Sequence, residues 1–217
     1  MKRTAFALSA FLIVVTACND AAETKTDPGT TKEEPKKEET VKDLTPAPMD
    51  SAAMMKSWAD FKTPGDMHKW MAKTDGRWTG EVSHWIDPAA PPTKSMAAMN
   101  NKTTMGGLYQ TGTYSGTMMG QPFEGMSTMG YDNAKKMFVS TWVDNMGSGI
   151  IYMTGTMDNA TNTLKMSGKQ TDPMTGKEMD IRQVNTFTNA TTQKLVMYGT
   201  GMDGKEMKFM EGTFTRK

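Results

Sequence analysis

Trp142 and Asp144 stand two positions apart in the run Ser140-Thr141-Trp142-Val143-Asp144. In an extended chain alternate side chains share a face, so the indole and the carboxylate point the same way. That pairing suits recognition of a polar or cationic small molecule, the ring supplying contact area and the carboxylate orientation. Glu124, Tyr131, Arg182, Tyr198 and Glu211 are the other polar or aromatic residues expected to face a shared interior. With Trp142 and Asp144 they form the expected ligand pocket. The alternative is an internal ion-pair network, Asp144 with Arg182, that only neutralises a wet interior.

Catalytic signatures are scarce. The chain has no Gly-x-Ser-x-Gly elbow, P-loop, cysteine pair or His-Glu-x-x-His motif. Imidazole chemistry would have to use His68 or His84, the two histidines present. A hydrolase would pair His84 with Asp144 or Glu124, but no recognisable nucleophile completes it. His68, in the first turn of a short helix, and His84, between Ser83 and Trp85, are read first as packing and strand residues. No cofactor is implied.

Methionine is over-represented, with 24 residues against six Leu and five Ile. Ordinary domains use Leu as the leading aliphatic, so thioethers are expected to fill the core here and to pack adaptably. Met96-x-x-Met99, Met118-Met119 and Met126-x-x-Met129 are spacings that could offer thioethers to Cu(I). Surface methionines could also absorb oxidant reversibly. The even spread of Met, with no Cys or adjacent His to complete a site, favours core filling and no metal.

Cys18 is the single cysteine, so an internal disulfide is excluded. Lys2 and Arg3 precede an apolar stretch, Ala5 to Val15, that is too short to span ~30 Å of hydrocarbon and reads as a cleaved signal. The stretch ends in Val15-Thr16-Ala17-Cys18, which resembles a bacterial lipobox. The resemblance implies that Cys18 is lipidated and that a cell-envelope bilayer, on its periplasmic or surface side, is a partner. Each buried acyl CH₂ stabilises such an anchor by roughly 0.8 kcal/mol.

Residues 19–48 hold five Lys against eight Asp and Glu, with Val41 and Leu44 the only large apolar residues. Such a segment cannot bury enough surface to offset its chain entropy and is expected to be a disordered tether, with a reach of roughly 30 Å. The near-neutral total, a net charge of +1, argues against a nucleic-acid partner, which would require a concentrated basic face.

The elements that must position the pocket lie beyond residue 48. Residues 49–65 read as a short helical lead-in, with Asp50 capping a helix to about Asp60. Pro64-Gly65-Asp66 opens a second helix carrying a Met67, Trp70, Met71 stripe, and Gly76 ends it. From there to Lys217, runs rich in Thr, Val, Tyr, Trp and Met alternate with turn clusters such as Asp132-Asn133 and Asp203-Gly204. The expected strands are 77–86, 94–105, 107–118, 121–131, 135–144, 149–157, 163–171, 178–188, 193–200 and 205–215. Hairpin-length links dictate an antiparallel order, and closure removes the unpaired edges. The expected fold is mainly β: one up-and-down barrel of about ten strands over residues 66–217, with a helical lid or plug.

Gly76-Arg77-Trp78-Thr79-Gly80 on the first strand resembles the Gly-x-Trp signature of the calycins, lipocalins and their relatives. The resemblance implies that Trp78 closes one barrel end and that Arg216, on the last strand, packs across it. A longer pattern is more specific: His68-Lys69-Trp70, Gly76-Arg77-Trp78, Gly106-Gly107, Pro122-Phe123-Glu124-Gly125, Gly130-Tyr131-Asp132-Asn133, Ser140-Thr141-Trp142-Val143-Asp144 and Thr215-Arg216-Lys217. In that order it is similar to the bacterial family known as domain of unknown function 1579, over about Asp66 to Lys217. This implies a lipocalin-like barrel and assigns no reaction. The related nitrobindin-like barrels hold haem through a His on a late strand, and no His follows His84 in this chain.

Three functions remain open: a tethered binding module for a small apolar or amphipathic ligand, an interaction lipoprotein whose barrel is filled by side chains, and a hydrolase. A cavity of roughly 300 Å³ or more lined by Trp142 and Asp144 would favour the first. The anchor has its own test. Replacing Cys18 by Ser is expected to move the protein from the membrane fraction to the soluble fraction, and a variant still pelleting with membranes would contradict lipidation at Cys18.

Overall fold

A computed structural model describes residues 50–201 and 203–217. The expected signal segment 1–18, including Cys18, and the expected tether 19–48 lie outside the described residues. Two helices come first, α1 (Ser51–Phe61) and α2 (Asp66–Ala72). Ten strands follow: β1 (Gly76–His84), β2 (Thr93–Thr104), β3 (Tyr109–Met118), β4 (Gln121–Asp132), β5 (Met137–Asp144), β6 (Ile151–Asp158), β7 (Thr163–Thr171), β8 (Glu178–Asn189), β9 (Thr192–Thr200) and β10 (Glu206–Arg216). Each pairs antiparallel with its sequence neighbour, and β10 returns to β1, so the barrel is closed. The architecture is the one the turn spacing predicts, and strand ends differ from expectation by one or two residues.

The seam is the β1–β10 ladder, from Trp78 opposite Arg216 to His84 opposite Met210. Strands must coil sharply to meet there, and Gly80 allows it. A Cβ at Gly80 would sit 2.0 Å from the Thr213 carbonyl oxygen, so any side chain would push the seam apart.

One end is plugged. Met71 of α2 enters the core cluster with Phe138, Met153, Leu164, Met166, Ile181 and Phe187. Trp70 packs edge-on against Phe187 and Phe138, at 4.9 and 5.4 Å between ring centroids. Burial of each such side chain contributes roughly 1.5–3 kcal/mol. Trp78 is 1% exposed. Its indole donates to the Thr74 carbonyl at 3.0 Å, and the Arg216 guanidinium lies over its ring at 4.6 Å while also bonding the Lys73 carbonyl. Gln110 Nε2 donates to the Met71 carbonyl at 2.9 Å and to Asp75 at 2.8 Å. These contacts tie the C-terminal end of α2, whose carbonyls lack intrahelical donors, to β1, β3 and β10.

α1 is attached differently. Asn133, in the β4–β5 turn, donates to the Phe61 and Thr63 carbonyls at 3.0 and 2.9 Å, capping the end of the helix. Asp50 caps its start through the Ala52 amide. No residue of α1 is buried.

His68 is 2% exposed, and its Nδ1 accepts the Gly65 amide at 3.0 Å. Burial lowers its pKa from the ordinary 6.5, outweighing a backbone hydrogen bond at Tyr131. A proton on Nδ1 would abolish the Gly65 contact that starts α2. Because the folded state disfavours the imidazolium, this contribution is complete above about pH 6.5 and is lost as pH falls through the lowered pKa. Thermal unfolding followed from pH 7 down to about 5 should therefore show a shallower loss of stability in His68→Gln, whose side chain can still accept the Gly65 N–H. An unchanged slope would exclude His68 as the acid-sensitive contact.

Candidate ligand-binding cavity

Strand alternation decides which side chains reach the inside. On β5 the inward set is Phe138, Ser140, Trp142 and Asp144, and on β8 it is Ile181, Gln183, Asn185 and Phe187. Above the α2 plug these inward residues surround a cavity of about 230 Å³. Its walls are mainly apolar, including Val82, Met99, Met153, Leu164, Met166, Leu195, Met197 and Phe214. Thr74 and Gln110 lie at the plugged end, and His84, Met118, Phe123, Asp144, Gln170 and Phe209 come from the opposite strand ends. The volume falls below the roughly 300–1,000 Å³ of sites for drug-sized ligands, so the cavity suits a smaller molecule. A barrel filled solid by methionine does not form.

Trp142 is held on several sides. Its Nε1–H donates to Asp144 Oδ2 at 2.6 Å, its ring lies near-parallel to Phe123 at 6.2 Å, and Tyr114 meets it edge-on at 4.7 Å. Space for the ring comes from β4, where a Cβ on Gly125 would sit 2.5 Å from Trp142 Cζ2. The second Asp144 oxygen accepts the Met146 amide at 2.9 Å, closing the turn after β5. Burial raises the Tyr114 hydroxyl pKa, and burial lowers that of His84. At neutral pH the His84 imidazole is therefore uncharged. His84 and Asp144 both line the cavity, yet the hydrogen bonds to Asp144 come from Trp142 and Met146.

Deeper in the barrel the polar groups are amides. Asn185 Nδ2 donates to Gln193 Oε1 at 3.1 Å, and Gln193 Nε2 approaches the Met99 sulfur at 3.8 Å. Asn185 Oδ1 is buried with no donor among the described residues, so it is an acceptor available to whatever occupies the cavity.

The other sequence-predicted pocket residues do not join Trp142 and Asp144. Tyr131 points inward but at the plugged end, edge-on to His68 at 5.8 Å and to Phe138 at 5.0 Å. Arg182 is on the outer face of β8, bonded to Glu206 by two contacts of 2.9 and 2.8 Å and lying 3.8 Å over the Tyr198 ring. The expected Asp144–Arg182 pair is therefore not formed. Glu211 faces outward between Lys194 and Lys208, at 2.7 and 2.6 Å, and those two lysines hold its carboxyl below the usual range. Glu124 is exposed, and its backbone holds Asn145 of the β5–β6 loop. For the charged residues the physical reason is shared: an unpaired charge inside the barrel costs far more than a neutral amide, so Arg and Glu take the outer positions and Gln and Asn the inner ones. Gln183, Asn185 and Gln193 were not among the expected residues. The signal for Gln183 and Asn185 is the alternation Ile181-x-Gln183-x-Asn185-x-Phe187, which sets them on the same face as two core residues, and Gln193 shares its strand face with Leu195 and Met197.

The methionine spacings separate in the same way. Met96 is 63% exposed and Met99 6%, and exposed Met126 contrasts with inward Met129. Residues three apart on a strand face opposite sides, so neither pair can chelate one ion.

The sequence matches the model of the family described as "Protein of unknown function (DUF1579)" over residues 63–216, and the chain belongs to that family. Among solved structures it is similar to Rv2717c from M. tuberculosis, with 11% identity and a TM-score of 0.56 over 71% of this chain and 99% of that one. An S-type phycobiliprotein lyase, CPES, from Guillardia theta aligns at 10% identity and a TM-score of 0.49, over 72% of this chain and 95% of that one. At these identities the likeness to Rv2717c shows the barrel fold alone. No curated protein sequence matches the chain.

The Trp142 geometry can be tested through Gly125. In Gly125→Ala the new methyl must displace the indole, at a cost of about 1–3 kcal/mol. The indole N–H resonance of Trp142 should move as its bond to Asp144 breaks. Wild-type stability with an unmoved resonance would contradict the packing described.

Proposed function

We propose that this protein is a ligand-binding barrel which takes up one small, mainly apolar molecule and is held at a cell-envelope membrane through lipidated Cys18. The observation that carries the binding reading is the cavity of about 230 Å³, walled by apolar side chains and furnished with a few convergent polar groups. That combination is the usual make-up of a small-molecule site. The α2 plug seals one end, so the ligand enters between the strand ends that carry His84, Phe123 and Asp144.

Several features fit a pre-formed site. Trp142 is fixed by three neighbours and Asp144 by its turn, which reduces the ordering cost of binding. The thioethers of Met153, Met166 and Met197 on the walls can adjust to the ligand's shape. The anchor rests on the Val15-Thr16-Ala17-Cys18 sequence, and the charged tether that follows would hold the barrel clear of the headgroups.

Native mass spectrometry of the protein purified from its own host is the direct test, with Ser140→Phe as the blocked control. Ser140 lines the cavity at mid-strand, and a phenyl ring there fills space a ligand would need, at a cost of about 1–3 kcal/mol. The expected result is an added small-molecule mass on the wild type that is absent from Ser140→Phe. Wild-type protein recovered repeatedly without any bound molecule would count against the reading.

A further inference from the structure

The cavity is electrically one-sided. Asp144 and His84 are the charged or readily titrating side chains among its described lining residues, and no Lys or Arg is among them. Burial keeps His84 neutral, which leaves the Asp144 carboxylate as the formal charge. Several outer-face carboxylates have cations: Glu81 has Lys94, Glu206 has Arg182, and Glu211 has Lys194 and Lys208. Asp144 has two neutral donors, the Trp142 indole and the Met146 amide, and makes no ion pair among the described residues. A carboxylate carries about four acceptor positions, so room for a charged donor remains.

The surroundings of that carboxylate favour a cation. The Trp142 and Phe123 rings, near-parallel at 6.2 Å, both line the cavity beside that carboxylate, and an aromatic ring attracts an ammonium group to its face. Below them the cavity turns apolar, with Met153, Leu164 and Met166 on its walls. Deeper still, the buried Asn185 Oδ1 has no donor among the described residues.

We propose that the ligand is an amphipathic amine, bound with its ammonium group at Asp144 against the Trp142 and Phe123 rings and its apolar chain directed toward α2. This rests on the binding reading above and adds the sign of the ligand's charge and the direction in which it lies. An anionic head, as on a fatty acid, would be repelled at the mouth and would meet no Lys or Arg among the described lining residues.

The test uses three isosteric probes, octylamine, 1-octanol and octanoate, titrated calorimetrically at neutral pH into the purified full chain. Octylamine should bind at least tenfold more tightly than octanol, with octanoate weakest. In Asp144→Asn, whose amide oxygen can accept from only one of the Trp142 and Met146 donors, the preference itself is the readout, and the ratio of amine to alcohol affinity should fall from at least tenfold to about one. Phe123→Leu, which leaves the carboxylate in place, should reduce the amine preference several-fold and serves if Asp144→Asn does not fold. Equal binding of amine and alcohol by the wild type, or preference for octanoate, would overturn the cationic head while leaving the cavity as a binding site. Failure of all three probes to bind at millimolar concentration would overturn the binding reading itself.

Discussion

The β1–β10 seam sets the rest of the molecule. Once Trp78 pairs with Arg216 and His84 with Met210, the hydrogen-bonded ladder has no free edge, and every residue of every strand is committed to the inside or the outside. A shift of one residue anywhere would exchange the two faces. The Gly80 approach to the Thr213 carbonyl shows how tightly the seam closes. Closure also fixes the diameter, and with ten strands the inward side chains above α2 do not fill the axis.

The contents of the interior follow from what a closed barrel tolerates. Inward positions near α2 combine packed hydrophobic side chains with hydrogen-bonded amides such as Gln110 and Gln193. Those toward the open end add thioethers and the Trp142 and Phe123 rings, and charges are expelled to the outer face, where Arg182–Glu206 and Lys194–Glu211 meet water as well as each other. Asp144 is the exception. It is kept inside by two hydrogen bonds, one closing a turn and one holding the Trp142 ring. An exception to charge expulsion in a cavity is where function is expected to leave its mark, and it is the residue on which the proposed chemistry turns.

Most of the fold was legible in the sequence, because turn chemistry and alternation are local. Asp132-Asn133 and Asp203-Gly204 announce their turns, and the antiparallel order then follows from link length. The cavity was legible only in part. Trp142 and Asp144 share a strand face by simple parity, but the faces of Arg182, Tyr198 and Glu211 depend on which face their core neighbours occupy. Placing Arg182 requires noting that Met179, Ile181 and Phe187 share the odd-numbered face of β8 while Val184 is the single apolar residue on the other, which sends the odd-numbered face inward and Arg182 out. The room made for Trp142 by Gly125 depends on strand register, Gly125 opposite Asp144, and no local pattern contains it.

The central claim is that the barrel is hollow and open to a small apolar molecule, and its own methionines can report on that. In a methyl NMR spectrum of the methionine-labelled protein, addition of 1-octanol should shift the methyls of Met118, Met129, Met153, Met166, Met197 and Met210, which line the cavity. Met96 and Met126, exposed on the outer face, should stay in place. Shifts confined to those outer methionines, or no shifts at saturating octanol, would contradict a hollow, accessible barrel.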